Sequence, residues 1–275
     1  MKKWYAVIGD PIAHSMSPFM HDLWFKEHGI NATYIPIHAE PAKLEKAFQA
    51  MKTLGICGLN VTLPHKSSII PFLDRLDETA VKMNAVNTVT FEGGKSVGWN
   101  TDGDGFVRSL AANPLPENPK ILVIGAGGAA RGIVFALKRA GFSDVSVANR
   151  TYRRAEELAH AAGCTAVTMK EAELALGQYN ILIQTTSVGL AKDEGLPLSM
   201  EHAAAGSLAA DIIYNPLETP FLKAAKEKGC TALNGVGMFV YQGAIAFEKW
   251  TGVEPDTEKM IGIITEKLGG NYVNR

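Results

Sequence analysis

Apolar and polar positions along the chain follow two alternating rhythms. Short runs rich in β-branched residues, at 5–9, 34–37, 58–63, 120–125, 145–148, 181–185 and 208–213, read as strands. Between them apolar residues recur at helical spacing. Stretches 18–28, 42–54 and 129–140 predict helices, closed by Gly29, Gly55 and Gly141, the residue type that best tolerates the left-handed turn at a helix end. Alternation of this kind predicts an α/β architecture with largely parallel sheets. Residues 111–119 carry Pro114, Pro116 and Pro119 directly ahead of a strand, the mark of a surface connection near a domain junction. A last apolar-periodic helix, about 238–250, has no strand after it and is expected to pack back on the first domain.

Composition narrows the function classes. A chain of 275 residues with 47% hydrophobic residues can bury a substantial core, and two domains are expected. A formal net charge of -1 provides no bulk field for nucleic acid or an anionic membrane, so an anionic ligand must be held locally. Cys57, Cys164 and Cys230 form no Cys-x-x-Cys pair and read as reduced core thiols, while the seven histidines show no paired ligand spacing, so no metal is called for. The opening apolar run is broken at Asp10, too soon for a secretory signal, and nothing approaches the roughly 20 apolar residues that span a bilayer. A cytoplasmic protein acting on a small molecule is expected.

The strand at 120–125 runs into Gly125-Ala126-Gly127-Gly128-Ala129-Ala130 and then a helix, a G-x-G-x-x-A pattern in the context a dinucleotide requires. Gly125 makes the sharp turn, Gly127 lets a pyrophosphate approach the backbone, and Ala130 allows close helix-to-strand packing. A purely structural turn would carry the same glycines. The next strand should end in an acid if the 2'-hydroxyl of NAD is bound. It ends instead in Asn149-Arg150-Thr151, followed by Arg153 and Arg154, and guanidinium groups suit a 2'-phosphate. NADP(H) is favoured.

Other segments carry candidate chemistry. Asn60-Val61-Thr62-Leu63-Pro64-His65-Lys66 is expected to end a strand and, with Pro64 at the first helical position, to open a helix. A lysine in that first turn opposes the helix dipole by roughly 0.3–1 kcal/mol, a field that favours the neutral amine and suits proton transfer. A solvated surface lysine would read the same way. Asp102, after Asn100 and Thr101, could be a first-turn carboxylate or a cap; Asn84 to Thr88 offers amides in a turn; Ser17 before Pro18 is an expected N-cap.

In order, these segments resemble the shikimate dehydrogenases, from Val7 to the end of the final helix. The likeness rests on Ser15-Met16-Ser17, Asn60-Val61-Thr62 with Pro64 and Lys66, Asn84-Ala85-Val86-Asn87-Thr88, Asn100-Thr101-Asp102, Gly125-Ala126-Gly127-Gly128, Asn149-Arg150-Thr151, Thr185-Thr186-Ser187-Val188-Gly189, Asp211 to Pro216, and Gly235-Val236-Gly237-Met238 with Gln242. The resemblance implies an N-terminal α/β substrate domain with a mixed sheet (1–101, completed by 238–275) and a Rossmann-like doubly wound NADP-binding domain (102–237), with a C-terminal helix returning to the first. It implies that Lys66 and Asp102 are the catalytic pair. Ser15 and Ser17 would bind the substrate carboxylate, with Thr62, Asn87, Tyr214 and Gln242 on ring hydroxyls or the carboxylate. Gly125, Ala126, Gly127, Gly128, Ala129, Asn149, Arg150, Thr151 and Arg154 would bind NADP, with Glu78, Ile212 and Gly235 near the nicotinamide. Three positions depart from the family's usual residues: Gln184 for Asn, Leu190 for Met and Phe239 for Leu.

The implied activity is reversible, NADPH-dependent reduction of 3-dehydroshikimate to shikimate, by a monomer or homodimer without nucleic acid or membrane partners. Two rivals are a quinate/shikimate dehydrogenase of broader substrate or NAD use, and a non-catalytic NADP-binding sensor on the same scaffold.

Overall fold

The computed structural model describes residues 2–190 and 195–269; Met1, 191–194 and 270–275, the last the tail of the expected C-terminal return, lie outside it. Residues through Thr101, with Gln242–Thr257, form one compact unit, and Asp102–Tyr241, with those from Glu258 onward, form another.

The first unit contains β1 (Lys3–Gly9), α1 (Ser17–Glu27), β2 (Ala32–His38), α2 (Leu44–Thr53), β3 (Gly58–Val61), β4 (Arg75–Leu76), α3 (Glu78–Met83), β5 (Thr88–Glu92) and β6 (Lys95–Trp99). Its six strands lie in the order β2-β1-β3-β5-β6-β4. The sheet is mixed: β1 pairs in parallel with β2 and β3, whereas β3–β5 and β5–β6 are antiparallel. Gly93 and Gly94, both at positive φ, join β5 to β6 in a two-residue hairpin. One core cluster gathers Ile8, Phe48, Leu59 and Val89. A separate aromatic group stacks Tyr5 on Phe25 and brings Trp24 and Phe25 against Phe247. Burying each such apolar side chain stabilises the fold by about 1.5–3 kcal/mol.

The second unit contains α4 (Asp102–Ala111), β7 (Ile121–Ile124), α5 (Gly128–Arg139), β8 (Val145–Ala148), α6 (Tyr152–Ala162), β9 (Thr165–Val167), α7 (Met169–Leu174), β10 (Ile181–Gln184), β11 (Leu208–Asp211), α8 (Pro220–Glu227), β12 (Thr231–Leu233), the first part of α9 (Val236–Thr251) and nearly all of α10 (Thr257–Gly269). Its sheet, β12-β11-β10-β7-β8-β9, is parallel throughout. Strand order reverses between β7 and β10, the doubly wound arrangement in which ligands settle beyond the carboxyl ends of the strands at the reversal. Successive side chains of β7 enter opposite cores, Ile121 and Val123 on one face and Leu122 and Ile124 on the other, which explains its unbroken apolar run.

The unit division falls inside α9. The expected C-terminal return is carried by the second half of that helix, where Trp250 Nε1 donates to the Val89 carbonyl at 3.0 Å. A Cβ on Gly58 would lie 2.4 Å from Trp250, so only glycine admits the indole there. Helix α10 departs from the expected 238–275 grouping: it clusters with the second unit, where Gly269 lies against Leu217. The cysteines are unpaired, but only Cys230 is buried; Cys57 and Cys164 are partly exposed, which corrects the reading of all three as core thiols.

Candidate functional site

The sharp turn after β7 has a local cause. Gly125 has φ of 118°, and a Cβ there would lie 2.4 Å from Thr185 Oγ1, which itself donates to the Ile124 carbonyl at 2.7 Å. No other residue type fits. Gly127 and Gly128 face open space, with nothing within 4 Å of an added Cβ, and Gly127 holds the N-cap position of α5 without any side-chain cap. The first amides of α5 thus point at a space large enough for an anion, with the helix's partial positive charge behind them. A cavity of about 280 Å³ at this point is lined by Ala126, Gly127, Gly128, Arg131, Arg154 and Glu157, among others. Ala129 lies in the first turn of α5, and Ala130 is fully buried against the sheet.

Arginines follow β8 as expected, with different surroundings. Arg154 lines the cavity, whereas Arg153 Nε donates to Glu157 at 3.0 Å across one helical turn. Asn149 Nδ2 donates to the Thr151 carbonyl at 2.9 Å, holding the chain at the start of α6, and Arg150 and Thr151 are exposed beside it. These residues fit a dinucleotide bearing a 2'-phosphate: a glycine cradle for the pyrophosphate and a cation on its rim.

Helix α4 begins at Asp102 and packs on α5 so closely that a Cβ on Gly103 would lie 2.5 Å from the Gly132 carbonyl. Arg139 and Asp104 pair across the same contact. Asp102 is therefore a first-turn carboxylate, partly buried, on a helix fastened to the one that carries the glycine turn.

Farther along the second unit, Gly235 is pressed against Ile212: a Cβ would lie 2.2 Å from the Ile212 carbonyl. Asp211, almost fully buried, accepts from Ile213 N at 3.0 Å and from Thr219 Oγ1 at 2.7 Å, and burial pushes its carboxyl up to about 6. The ring of Tyr214 stacks on Phe239 with centroids 4.9 Å apart, and burial raises its phenol pKa.

In the first unit a polar network surrounds Asn87. Its Oδ1 accepts from Thr101 N at 2.9 Å and Thr88 Oγ1 at 3.0 Å, while Nδ2 donates to Thr101 Oγ1 at 2.9 Å and Gln242 Oε1 at 3.4 Å. Asn60 Nδ2 donates to the Asn87 carbonyl at 3.0 Å and to Thr88 Oγ1 at 3.1 Å. Tyr34 OH donates to Asn60 Oδ1 at 2.7 Å. Asn60, Thr88, Thr101 and Tyr34 received no role from the sequence. Most of their partners are far apart along the chain, and only the segments Asn60-Val61-Thr62, Asn84 to Thr88 and Asn100-Thr101-Asp102 hinted at three of them.

Thr62 leaves β3 with its amide bonded to the Ile8 carbonyl at 2.9 Å, and its methyl occupies the space that a Cβ on Gly9 would need. The expected helix after Pro64 does not form. Residues 63–69 are turns, because the Lys66 carbonyl accepts the Val86 amide at 2.7 Å instead of an amide one turn ahead. The macrodipole argument for Lys66 therefore does not apply; the side chain is partly buried at a turn. His65 is likewise no helix-start residue: it is fully buried, with Nε2 bonded to the Ala39 carbonyl at 2.7 Å. Ser17 is the first residue of α1 and not its cap. Met16 holds the cap position without a side-chain bond, and Ser17 N donates to Ser15 Oγ at 3.3 Å. Glu78, expected near the nicotinamide, starts α3 in the first unit, exposed and paired with Lys82.

Comparison with known proteins agrees with this arrangement. Residues 7–89 match the family described as shikimate dehydrogenase substrate binding domain, 109–192 shikimate / quinate 5-dehydrogenase, and 235–263 shikimate 5'-dehydrogenase C-terminal domain. A shikimate dehydrogenase (NADP(+)) of Lysinibacillus sphaericus is 53% identical over 98% of this chain and 100% of its own. The chain belongs to the shikimate dehydrogenase family. Among solved structures, shikimate 5-dehydrogenase from Thermus thermophilus in complex with NADP(H) and shikimate has a TM-score of 0.89 and 37% identity, covering 97% of this chain and 100% of that one. A quinate dehydrogenase from Corynebacterium glutamicum in complex with NAD has a TM-score of 0.87 and 29% identity, covering 95% of this chain and 98% of that one.

Against the shikimate dehydrogenase pattern, the departures are accommodated locally. Gln184 is fully buried and spans the turn after β10, accepting from Thr186 N at 2.8 Å and donating to the Val188 carbonyl at 2.9 Å. Leu190 is exposed, and Phe239 is the ring under Tyr214. No group of three or more metal-ligating side chains and no helix long and apolar enough to cross a membrane occurs among the described residues.

Proposed function

We propose that this chain catalyses the NADP(H)-dependent interconversion of 3-dehydroshikimate and shikimate, with Lys66 and Asp102 as its proton-handling pair. The observation that carries the cofactor half is the glycine turn: Gly125 cannot bear a side chain, while Gly127 and Gly128 open on a cavity that Arg154 lines. NADPH, when bound, supplies the hydride for the ring ketone.

The chain's own residues do the rest. Lys66 as ammonium stabilises the developing alkoxide and protonates it; in the oxidative direction the neutral amine takes the proton. Asp102 accepts a hydrogen bond from a neighbouring ring hydroxyl. Ser15 and Ser17, held together at the start of α1 by the bond from Ser17 N to Ser15 Oγ, bind the carboxylate. Thr62, Asn87, Gln242 and Tyr214 hold ring hydroxyls or the carboxylate. Discrimination follows from the cost of leaving any of these groups unpaired in a closed site. Gly125 to Ala129 and Asn149, Arg150, Thr151 and Arg154 bind NADP, with Ile212 and Gly235 beside the nicotinamide. The Glu78 carboxylate engages Lys82. The enzyme works in the cytoplasm, as a monomer or homodimer, without nucleic acid or membrane.

Appearance of NADPH absorbance on mixing the chain with shikimate and NADP tests the reading, and no absorbance change contradicts it. The quinate reading is favoured by the match of residues 109–192 to shikimate / quinate 5-dehydrogenase and by the structural likeness to a quinate dehydrogenase, and comparing shikimate with quinate under each nicotinamide decides it.

A further inference from the structure

The hydrogen bonds that converge on Asn87 have a direction. A backbone N–H can only donate, so the contact from Thr101 N at 2.9 Å fixes which end of the Asn87 amide is oxygen. A backbone carbonyl can only accept, so the contact with Asn87 O at 3.0 Å fixes the Asn60 amide in the same way. With Asn60 Nδ2 donating to Thr88 Oγ1 at 3.1 Å, the Thr88 proton is left for Asn87 Oδ1 at 3.0 Å. Every proton then runs one way, from Tyr34 OH to Asn60, to Thr88 and to Asn87, whose NH2 faces Gln242 Oε1. Tyr34 is 2% exposed, and its ring stacks on His21 at 4.5 Å.

We propose that Tyr34 is a remote positioning residue: through Asn60 and Thr88 it holds the Asn87 amide so that the N–H not bonded to Thr101 Oγ1, now on its long 3.4 Å contact with Gln242 Oε1, is presented to the substrate as a donor. The inference rests on the reading that Asn87 contacts a ring hydroxyl. Rotating the Asn87 amide would set its NH2 against the Thr101 N–H and the Thr88 hydroxyl proton, and the chain of donors makes that costly. The substrate oxygen opposite Asn87 is therefore received as an acceptor, a constraint a bare pocket would lack.

Tyr34→Phe keeps the ring and its stacking and removes only the hydroxyl. Losing one buried donor should raise the KM for shikimate roughly 3- to 10-fold, with the KM for NADP and kcat changing by less than about twofold. Thr88→Val, isosteric but without the donor, should do the same. The deciding measurement is a double-mutant cycle: in an Asn87→Ala background, Tyr34→Phe should have no further effect on the shikimate KM. An equal rise in both backgrounds, or no rise from Tyr34→Phe and Thr88→Val where Asn87→Ala itself raises KM, overturns the relay. An Asn87→Ala variant with unchanged KM for shikimate instead removes the substrate contact, and the inference with it.

Discussion

Gly125 and Thr185 approach so closely that a Cβ on the glycine would lie 2.4 Å from the threonine's Oγ1. The threonine cannot yield without losing its bond to the Ile124 carbonyl at 2.7 Å. Gly125→Ala meets both this clash and a φ of 118°. The variant should lose at least about 1–3 kcal/mol of stability, and its KM for NADP should rise about tenfold or more. Thermal unfolding and NADP saturation curves check both.

Arg154 stands at the rim of the same cavity while Arg153 is held by Glu157. Arg154→Ala should therefore raise the KM for NADP by about 10- to 100-fold, the worth of a charge-assisted bond of roughly 1.5–3 kcal/mol. The KM for NAD should stay nearly constant. Arg153→Ala should leave both unchanged. Equal effects on the two nicotinamides would mean that Arg154 does not read the 2'-phosphate.

Much of this was legible in the sequence where the cause is local. The run from β7 through Gly125, Gly127 and Ala130 into α5 carries its own turn, close approach and packing requirement, and it folds as read. The stretch 63–69 was misread because the bond that diverts it, Val86 N to the Lys66 carbonyl, comes from a distant residue. The Asn87 network stayed invisible for the same reason: Tyr34, Asn60, Thr101 and Gln242 meet only after the sheet forms. Strands β9 and β12, three residues each, are too short for periodicity to register, whereas Gly93-Gly94 was a hairpin signal that could have been used.

His21 provides a pH prediction. It is fully buried among Tyr34, Trp24, Phe247 and Trp250, neither ring nitrogen has a partner, and burial lowers its pKa to about 3. A base depressed in the folded state contributes stability that is present above the unfolded pKa, about 6.5, and is lost as pH falls towards 3. The full loss is on the order of 5 kcal/mol. His21→Phe, which retains the stacking, should flatten the acid limb of a stability-versus-pH curve measured by denaturant unfolding.

Asp211 has the opposite sign. Its folded pKa is raised from 3.8 to about 6, chiefly by burial and against its bonds from Ile213 N and Thr219 Oγ1. Its contribution is present below about 4 and is lost as pH rises through 6, by up to about 3 kcal/mol. Asp211→Asn keeps an acceptor for the Ile213 amide and offers Thr219 a donor. The variant should gain stability relative to the parent at pH 8 and lose that gain by pH 4, as unfolding midpoints at the two pH values would show.

The most direct test of the account is the steady-state oxidation of shikimate with NADP by the parent chain and by Lys66→Met. The account expects the parent to turn over and the variant to lose about 10²- to 10⁴-fold in kcat, with little change in the KM for shikimate. A Lys66→Met enzyme with parental kcat would contradict it.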